Sequence, residues 1–238
     1  MDFFNYDGPI IKYGNMLADM LILSVIWIIF CIPLVTAGAS TTAAYYVATR
    51  RISEKEGYLI KDFWKSFKGE FLKITPLFII IVAVTTLVVM NISFMNEANE
   101  EVMNPTLNIV LTTLSFVLIV ELIFTSLFLF PITSRFGMSR KDLFKTAFFM
   151  ANRHFLTTII LIVMLVAGIF LIGAFLFIPL LVFPGIYFYM SSYLFMRIFK
   201  KYRPEIDAMP GDPNYIPPVE TPIEPVSEQK IDNNSEDA

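Results

Sequence analysis

Apolar and polar positions along the 238-residue chain sort into five long apolar runs, at about residues 16–35, 74–95, 107–130, 155–178 and 179–196. A hydrocarbon core about 30 Å thick takes about 20 helical residues at about 1.5 Å each, and every run is near that length. A water-soluble domain of this size has no interior that buries five such segments. In lipid, a helix meets its own backbone hydrogen bonds and needs no water. The pattern predicts an all-α, polytopic membrane helical bundle over residues 1–203, with about five transmembrane helices and a separate tail at 204–238.

Two shorter stretches carry a helical period of a different kind. Ile60, Phe63, Trp64, Phe67 and Phe71 fall at i, i+3, i+4, i+7 and i+11, with Lys61, Lys65 and Lys68 on the other side. That arrangement suits an amphipathic helix lying in the headgroup layer. Phe63, Trp64, Phe67 and Phe71 are its candidate membrane-surface or partner-docking face. The second stretch opens at Ser139-Arg140-Lys141-Asp142, which has capping-box spacing, and runs on through Leu143, Ala147, Met150, Ala151 and His154. Both are expected as separate cytoplasmic interfacial helices. Asp62-Phe-Trp-Lys65-Ser66 and Asp142-Leu-Phe-Lys145-Thr146 resemble each other, and Pro33 and Pro131 close the spans before them. A parallel internal duplication and chance both account for that likeness.

Charge gives the expected orientation. Arg50, Arg51, Lys55, Lys61, Lys65, Lys68 and Lys73 follow the first run, and Arg135, Arg140, Lys141, Lys145 and Arg153 follow the third. Arg197, Lys200, Lys201 and Arg203 follow the fifth, while the other two connections have no base. Basic loops stay in the cytoplasm, so five crossings put the N-terminus outside and the C-terminus inside. One alternative stays open. Gly38 to Thr49 is apolar enough to re-enter, which moves the N-terminus inside.

Composition narrows the function classes. Apolar residues make up 56% and charged residues 16%, against roughly 45–50% and 25% in soluble domains. The net charge of −3 divides into −8 over residues 205–238 and +5 over the rest. Bases placed beside apolar runs suit lipid phosphates, not a nucleic acid. Seven prolines among residues 204–225, followed by an acidic end without apolar period, predict a disordered tail. The single Cys31 lies inside an apolar run, so no intrachain disulfide forms. The leader before the first run has Lys12 as its one base, beside Asp2, Asp7 and Asp19, which points to an uncleaved span.

Chemistry is sparsely provided. There is one histidine, His154, and no HExxH, Cys/His set, Walker A loop or GxGxxG. The expectation is a protein that is not an enzyme and takes no cofactor or metal. Glu121 lies near the middle of the third run, where an ionised carboxylate is costly, and Thr125 shares its helix face. The pair is either a cavity-lining polar site or a hydrogen-bonded packing device. Pro33, Thr36 and Gly38 form a candidate helix break of the kind that exposes free amides in transporters, with packing of small residues as the alternative.

Taken in order, Ile32-Pro33-Leu34-Val35-Thr36-Ala37-Gly38, Thr41-Thr42-Ala43-Ala44-Tyr45-Tyr46 and Asp62-Phe63-Trp64-Lys65-Ser66-Phe67-Lys68 form a distinctive series. Phe130-Pro131, Arg135-Phe136, Phe183-Pro184-Gly185-Ile186-Tyr187 and Ser191-Ser192-Tyr193 complete it. The set resembles the YesL-like family of bacterial integral membrane proteins, whose function is unknown. The resemblance implies a multi-pass protein of the bacterial cytoplasmic membrane, found near carbohydrate ABC-transport systems. It brings no catalytic or binding residues with it. The function it implies is a non-enzymatic accessory or regulator of carbohydrate uptake, with ABC-transporter subunits and the lipid bilayer as partners. An independent small-solute permease and a membrane sensor or scaffold are the alternatives.

Overall fold

A computed structural model describes residues 9–53, 57–97, 104–175 and 177–202. The tail at 204–238 and the base-free connection around Glu97 to Glu101 lie largely or wholly outside these, so the expectations placed there are not addressed. Among the described residues the fold is all helical. The elements are α1 (Pro9–Cys31), a 3₁₀ turn (Leu34–Thr36), α2 (Ala37–Ile52), α3 (Leu59–Glu97), α4 (Pro105–Arg135), α5 (Arg140–Arg153), α6 (Phe155–Phe175) and α7 (Phe177–Tyr202). Five of them, α1, α3, α4, α6 and α7, are long and apolar enough to cross a membrane.

The fold is organised around α2, the stretch that the sequence offers either as a connection or as a re-entrant segment. Gly38, Ala39, Ser40, Thr42, Ala43, Ala44, Tyr45, Tyr46, Val47, Ala48 and Thr49 are all buried. Small side chains let neighbouring helices close on it, which is how helices associate where lipid removes the hydrophobic driving force. A Cβ at Gly38 would stand 2.8 Å from the Phe78 ring system. The hydroxyls of Thr42 and Thr49 donate to the carbonyls of Gly38 (3.0 Å) and Tyr45, so the helix satisfies its own buried polar groups.

α1 and α2 form an antiparallel hairpin. Trp27 Nε1 donates to Thr41 Oγ1 (3.2 Å), Ser40 Oγ donates to the Trp27 carbonyl (3.3 Å), and Arg51 pairs with Asp19 (3.3 Å). The chain therefore leaves α2 at the end from which it entered α1. A single crossing by residues 16–35 that delivers the chain to the opposite end is not the geometry found. The hairpin turns beside Phe78, halfway along α3. Arg50 and Asp62 (3.5 Å) tie its open end to the first turn of α3.

The first expected interfacial helix does not stand alone. It is the beginning of α3, whose 39 residues make about 58 Å of helix and run straight through Pro76. No turn residue interrupts Phe71 to Thr75, so the amphipathic stretch and the second apolar run share one helix. Pro131 likewise lies inside α4, which continues to Arg135 and so is not closed by the proline. The second amphipathic stretch is a separate helix. Ser139 caps α5 by accepting from the Asp142 amide (3.4 Å), at the capping-box spacing expected of Ser139 to Asp142. Its apolar face, Leu143, Ala147, Met150 and Ala151, is buried within the bundle.

α7 closes the bundle over α1. The Gly185 amide donates to Ser24 Oγ (2.7 Å), and a Cβ at 185 would collide with the Met20 carbonyl oxygen. Farther from the hairpin, α3 and α4 run together as an antiparallel pair. Ser115 Oγ donates to Asn91 Oδ1 (3.1 Å) and Asn108 Nδ2 donates to the Met95 carbonyl (3.0 Å).

Candidate functional site

Where α1, α2, α4, α6 and α7 meet, they line a half-open cavity of about 320 Å³. Trp27, Tyr45, Phe130, Phe183, Tyr187 and Phe188 supply most of its aromatic wall. Trp27 and Phe188 meet edge to face with centroids 5.5 Å apart, as do Tyr45 and Phe188 at 5.1 Å. Small residues set these rings. Gly168 gives the Phe183 ring its place against α6, since any Cβ there would lie inside the ring. The Ser191 hydroxyl donates back to the Tyr187 carbonyl and lies 3.4 Å from the Tyr45 hydroxyl. The Tyr187 hydroxyl is buried and interacts with the Tyr45 hydroxyl.

The helix break at Pro33, Thr36 and Gly38 is not an open amide site. Thr36 Oγ1 reaches the carbonyls of Phe30 and Pro33 (2.7 Å to the latter), and the Thr36 amide donates to the Pro33 carbonyl (2.9 Å). The hydroxyl thus covers carbonyls freed where α1 ends. Gly38 serves close packing on α3. Ile32, Leu34 and Val35 around the break are exposed apolar residues.

Glu121 and Thr125 separate in their surroundings. Thr125 is buried inside the bundle, whereas Glu121 Oε1 accepts from Asn152 Nδ2 (2.6 Å) on α5. Glu121 does not line the central cavity. Its partner lies on the amphipathic helix, which a single-span view of α4 does not bring to it.

The proposed aromatic face is divided in the same way. Phe63 and Phe67 are buried, 1% and 8% exposed, and pack on Phe30 of α1 with centroids 5.4 and 5.0 Å apart. Phe71 is half-buried against Phe67. Phe63 and Phe67 are therefore not a free docking face, because Phe30 of the hairpin covers them. Trp64 stays accessible, with Lys68 over its ring at 4.7 Å, and Tyr58 and Ile60 are exposed beside it.

A second, basic cavity of about 430 Å³ lies between α5 and the end of α7, lined by Asp142, Lys145, Thr146, Phe149, Arg153 and Tyr202, among others. His154 Nε2 and the Tyr202 hydroxyl are 2.9 Å apart. Burial, with Lys201 and Arg153 nearby, holds the His154 imidazole below its ordinary pKa. No cluster of His, Cys, Asp and Glu able to hold a metal occurs among the described residues.

Residues 20–92 match the family described as protein of unknown function, DUF624. The match spans the second half of α1, all of α2 and most of α3, which is less than a third of the chain. It contains Ile32–Gly38, Thr41–Tyr46 and Asp62–Lys68, three of the segments that carry the YesL-like resemblance; the segments on α4 and α7 lie outside it. Comparison with curated proteins and with solved structures finds no match.

Trp27, Thr41 and Tyr187 carry no spacing in the sequence that marks a site, and they converge on the cavity only through the packing of α1, α2 and α7. The one local signal was Phe183-Pro184-Gly185-Ile186-Tyr187, where a glycine beside proline marks a close helix approach.

Proposed function

We propose that the protein is a non-enzymatic, multi-pass component of the bacterial cytoplasmic membrane, of the YesL-like kind. It accompanies or regulates solute uptake, with carbohydrate ABC-transport as the context that the resemblance implies. The observation carrying this reading is the chemistry of the interior. α2 fills the centre of the bundle, the Thr42 and Thr49 hydroxyls turn back on their own helix, those of Ser40 and Thr41 are engaged by Trp27 of α1, and the cavity beside it is walled by rings. A polar solute needs a chain of polar partners through the membrane, and among the described residues the wall of this cavity is almost wholly apolar. Work on a solute therefore passes to a partner.

The surface open to a partner is Tyr58, Ile60 and Trp64 at the start of α3, above a groove that also takes in Ile22, Ile26 and Arg51. The basic connection leaves at this same end, so positive-inside placement puts it in the cytoplasm. The hairpin then brings the N-terminal end of α1 to the cytoplasmic side too, with α3, α4, α6 and α7 as crossings and α1–α2 entering and returning. The C-terminal end of α7 stays cytoplasmic.

Crosslinking in native membranes, followed by affinity recovery in mild detergent and mass spectrometry, tests the reading. Recovery of transporter subunits with the unsubstituted protein, and their loss with Ile60→Glu or Trp64→Glu, is the expected result. Sugar flux through liposomes containing this protein alone would overturn it in favour of a permease.

A further inference from the structure

We propose that the basic cavity between α5 and the end of α7 holds the phosphate of an anionic phospholipid, whose chains stay outside it in the bilayer. Lys145 and Arg153 meet the phosphate charge, and the Thr146 hydroxyl donates to a phosphate oxygen. This goes beyond the accessory role and does not depend on it.

The donors lead there first. Lys145, Thr146, Phe149 and Arg153 fall on one face of α5 and line a space of about 430 Å³, within the range of ligand pockets. Among the described residues Lys145 makes no ion pair or hydrogen bond. The Arg153 guanidinium is carried over the Tyr202 ring, 5.7 Å from its centroid, and a fork of donors so seated suits a phosphate. Thr146 Oγ1 donates to the Met138 sulfur (3.8 Å), a weak acceptor that a phosphate oxygen outbids. Asp142 also lines the cavity, and its carboxylate accepts from Ser139 Oγ (2.5 Å) in the cap of α5. His154 feels the same field: burial, then the charges of Lys201 and Arg153, hold its imidazole low.

The position of the cavity makes the phosphate a lipid's. Two residues after Arg153, Phe155 opens α6, a helix long and apolar enough to cross a membrane. Phe149 lines the cavity and is 68% exposed, and Phe155 and Leu156 at the start of α6 are 54% and 74% exposed. Bases beside bare rings and aliphatic side chains suit the headgroup layer, with the charges at phosphate level and the apolar groups against the chains. A soluble phosphate would use the bases and leave Phe149 bare, whereas a lipid uses both. Positive-inside placement puts this connection in the cytoplasm, where basic pockets at helix ends take anionic headgroups.

Native mass spectrometry of the full chain, released from detergent, tests the site. Dioleoyl phosphatidylglycerol and dioleoyl phosphatidylcholine compete at equal concentration, and the ratio of single-lipid adducts is read. Both are phosphodiesters with the same chains, but choline brings a cation of its own toward Lys145 and Arg153. Two bases less one carboxylate leave one net positive charge, so the expected preference for phosphatidylglycerol is about fivefold. Lys145→Gln with Arg153→Gln should bring the ratio to about one. Lys141→Gln with Lys65→Gln removes the same charge outside the cavity and should leave the preference intact. Equal adducts on the unsubstituted chain, a preference that survives the cavity pair, or one lost equally in both pairs would overturn the proposal. Glycerol 3-phosphate separates the two sources of phosphate. At the same concentration as the lipid it should leave phosphatidylglycerol bound; displacement would assign the cavity to a soluble phosphate and refute the lipid. All four substituted side chains are exposed; should a double variant fail to fold, Lys145→Gln against Lys141→Gln decides by the same ratio. No transporter partner is present, so failure here leaves the accessory reading standing.

Discussion

Replacing Gly185 with alanine sets one methyl group against the crossing of α1 and α7. The new Cβ would fall on the Met20 carbonyl oxygen and 2.8 Å from Ser24 Oγ. Backbone cannot rotate away as a side chain does, so the two helices must part. Overpacking of this kind costs about 1–3 kcal/mol. Separation also stretches the hydrogen bond from the Gly185 amide to Ser24, worth about 0.6 kcal/mol on average between membrane helices. Alanine returns up to about 1 kcal/mol of helix propensity. Gly69→Ala removes that last contribution from the comparison, because a Cβ at Gly69 meets nothing within 4 Å. The difference between the two variants should be about 2–3 kcal/mol, with Gly69→Ala the more stable. Unfolding in mixed micelles, followed by helical circular dichroism, measures it. Equal stability of the two variants would show that α7 does not cross α1 at Gly185, and the cavity wall built on that crossing would fall with it.

Phe63→Ala should cost about 3 kcal/mol and Trp64→Ala under about 1 kcal/mol in the same assay, because Phe63 is enclosed by Phe30 and Phe67 while Trp64 is exposed. Glu121→Ala and Asn152→Ala should be non-additive by about 0.5–1.5 kcal/mol, measured as a double-mutant cycle across α4 and α5; strict additivity would deny the contact. His154 has its pKa lowered in the fold, so the unfolded chain takes up its proton first as pH falls. Stability should be flat above the ordinary imidazole range, decline as pH drops through it, and level off below the folded pKa. His154→Gln should flatten that decline in unfolding curves taken from pH about 7.5 to about 5.5. In a Cys31→Ser background, Asn15→Cys and Ser53→Cys should both react with an impermeant maleimide from the cytoplasmic side of inverted vesicles; labelling of Asn15→Cys from the opposite side would refute the α1–α2 hairpin.

The contribution of sequence ends where helices have to be told apart from connections. Five runs of bilayer length, the cap at Ser139 and the amphipathic period of α5 follow from local rules, because helix length and capping depend on near neighbours in the chain. Glu121 was legible as a costly carboxyl for the same reason, but its partner Asn152 lies 31 residues away, and only the return of α5 along α4 brings them together. The period of Phe63, Trp64, Phe67 and Phe71 fixed one helical face without saying what covers it. Lipid and the side of α1 are equally apolar, and the hairpin chose the second for Phe63 and Phe67. α2 was legible as a stretch apolar enough to re-enter but not as the centre of the bundle, because the small volume of Gly, Ala, Ser and Thr that admits them there shows only in the packing. The alternation of basic connections was equally consistent with a crossing and a returning hairpin. Asp19 beside Arg51 decides between them, since two residues 32 positions apart at one end require the chain to have turned back. Local chemistry wrote the helices; which faces were buried, and the cavity they leave, came only from their packing.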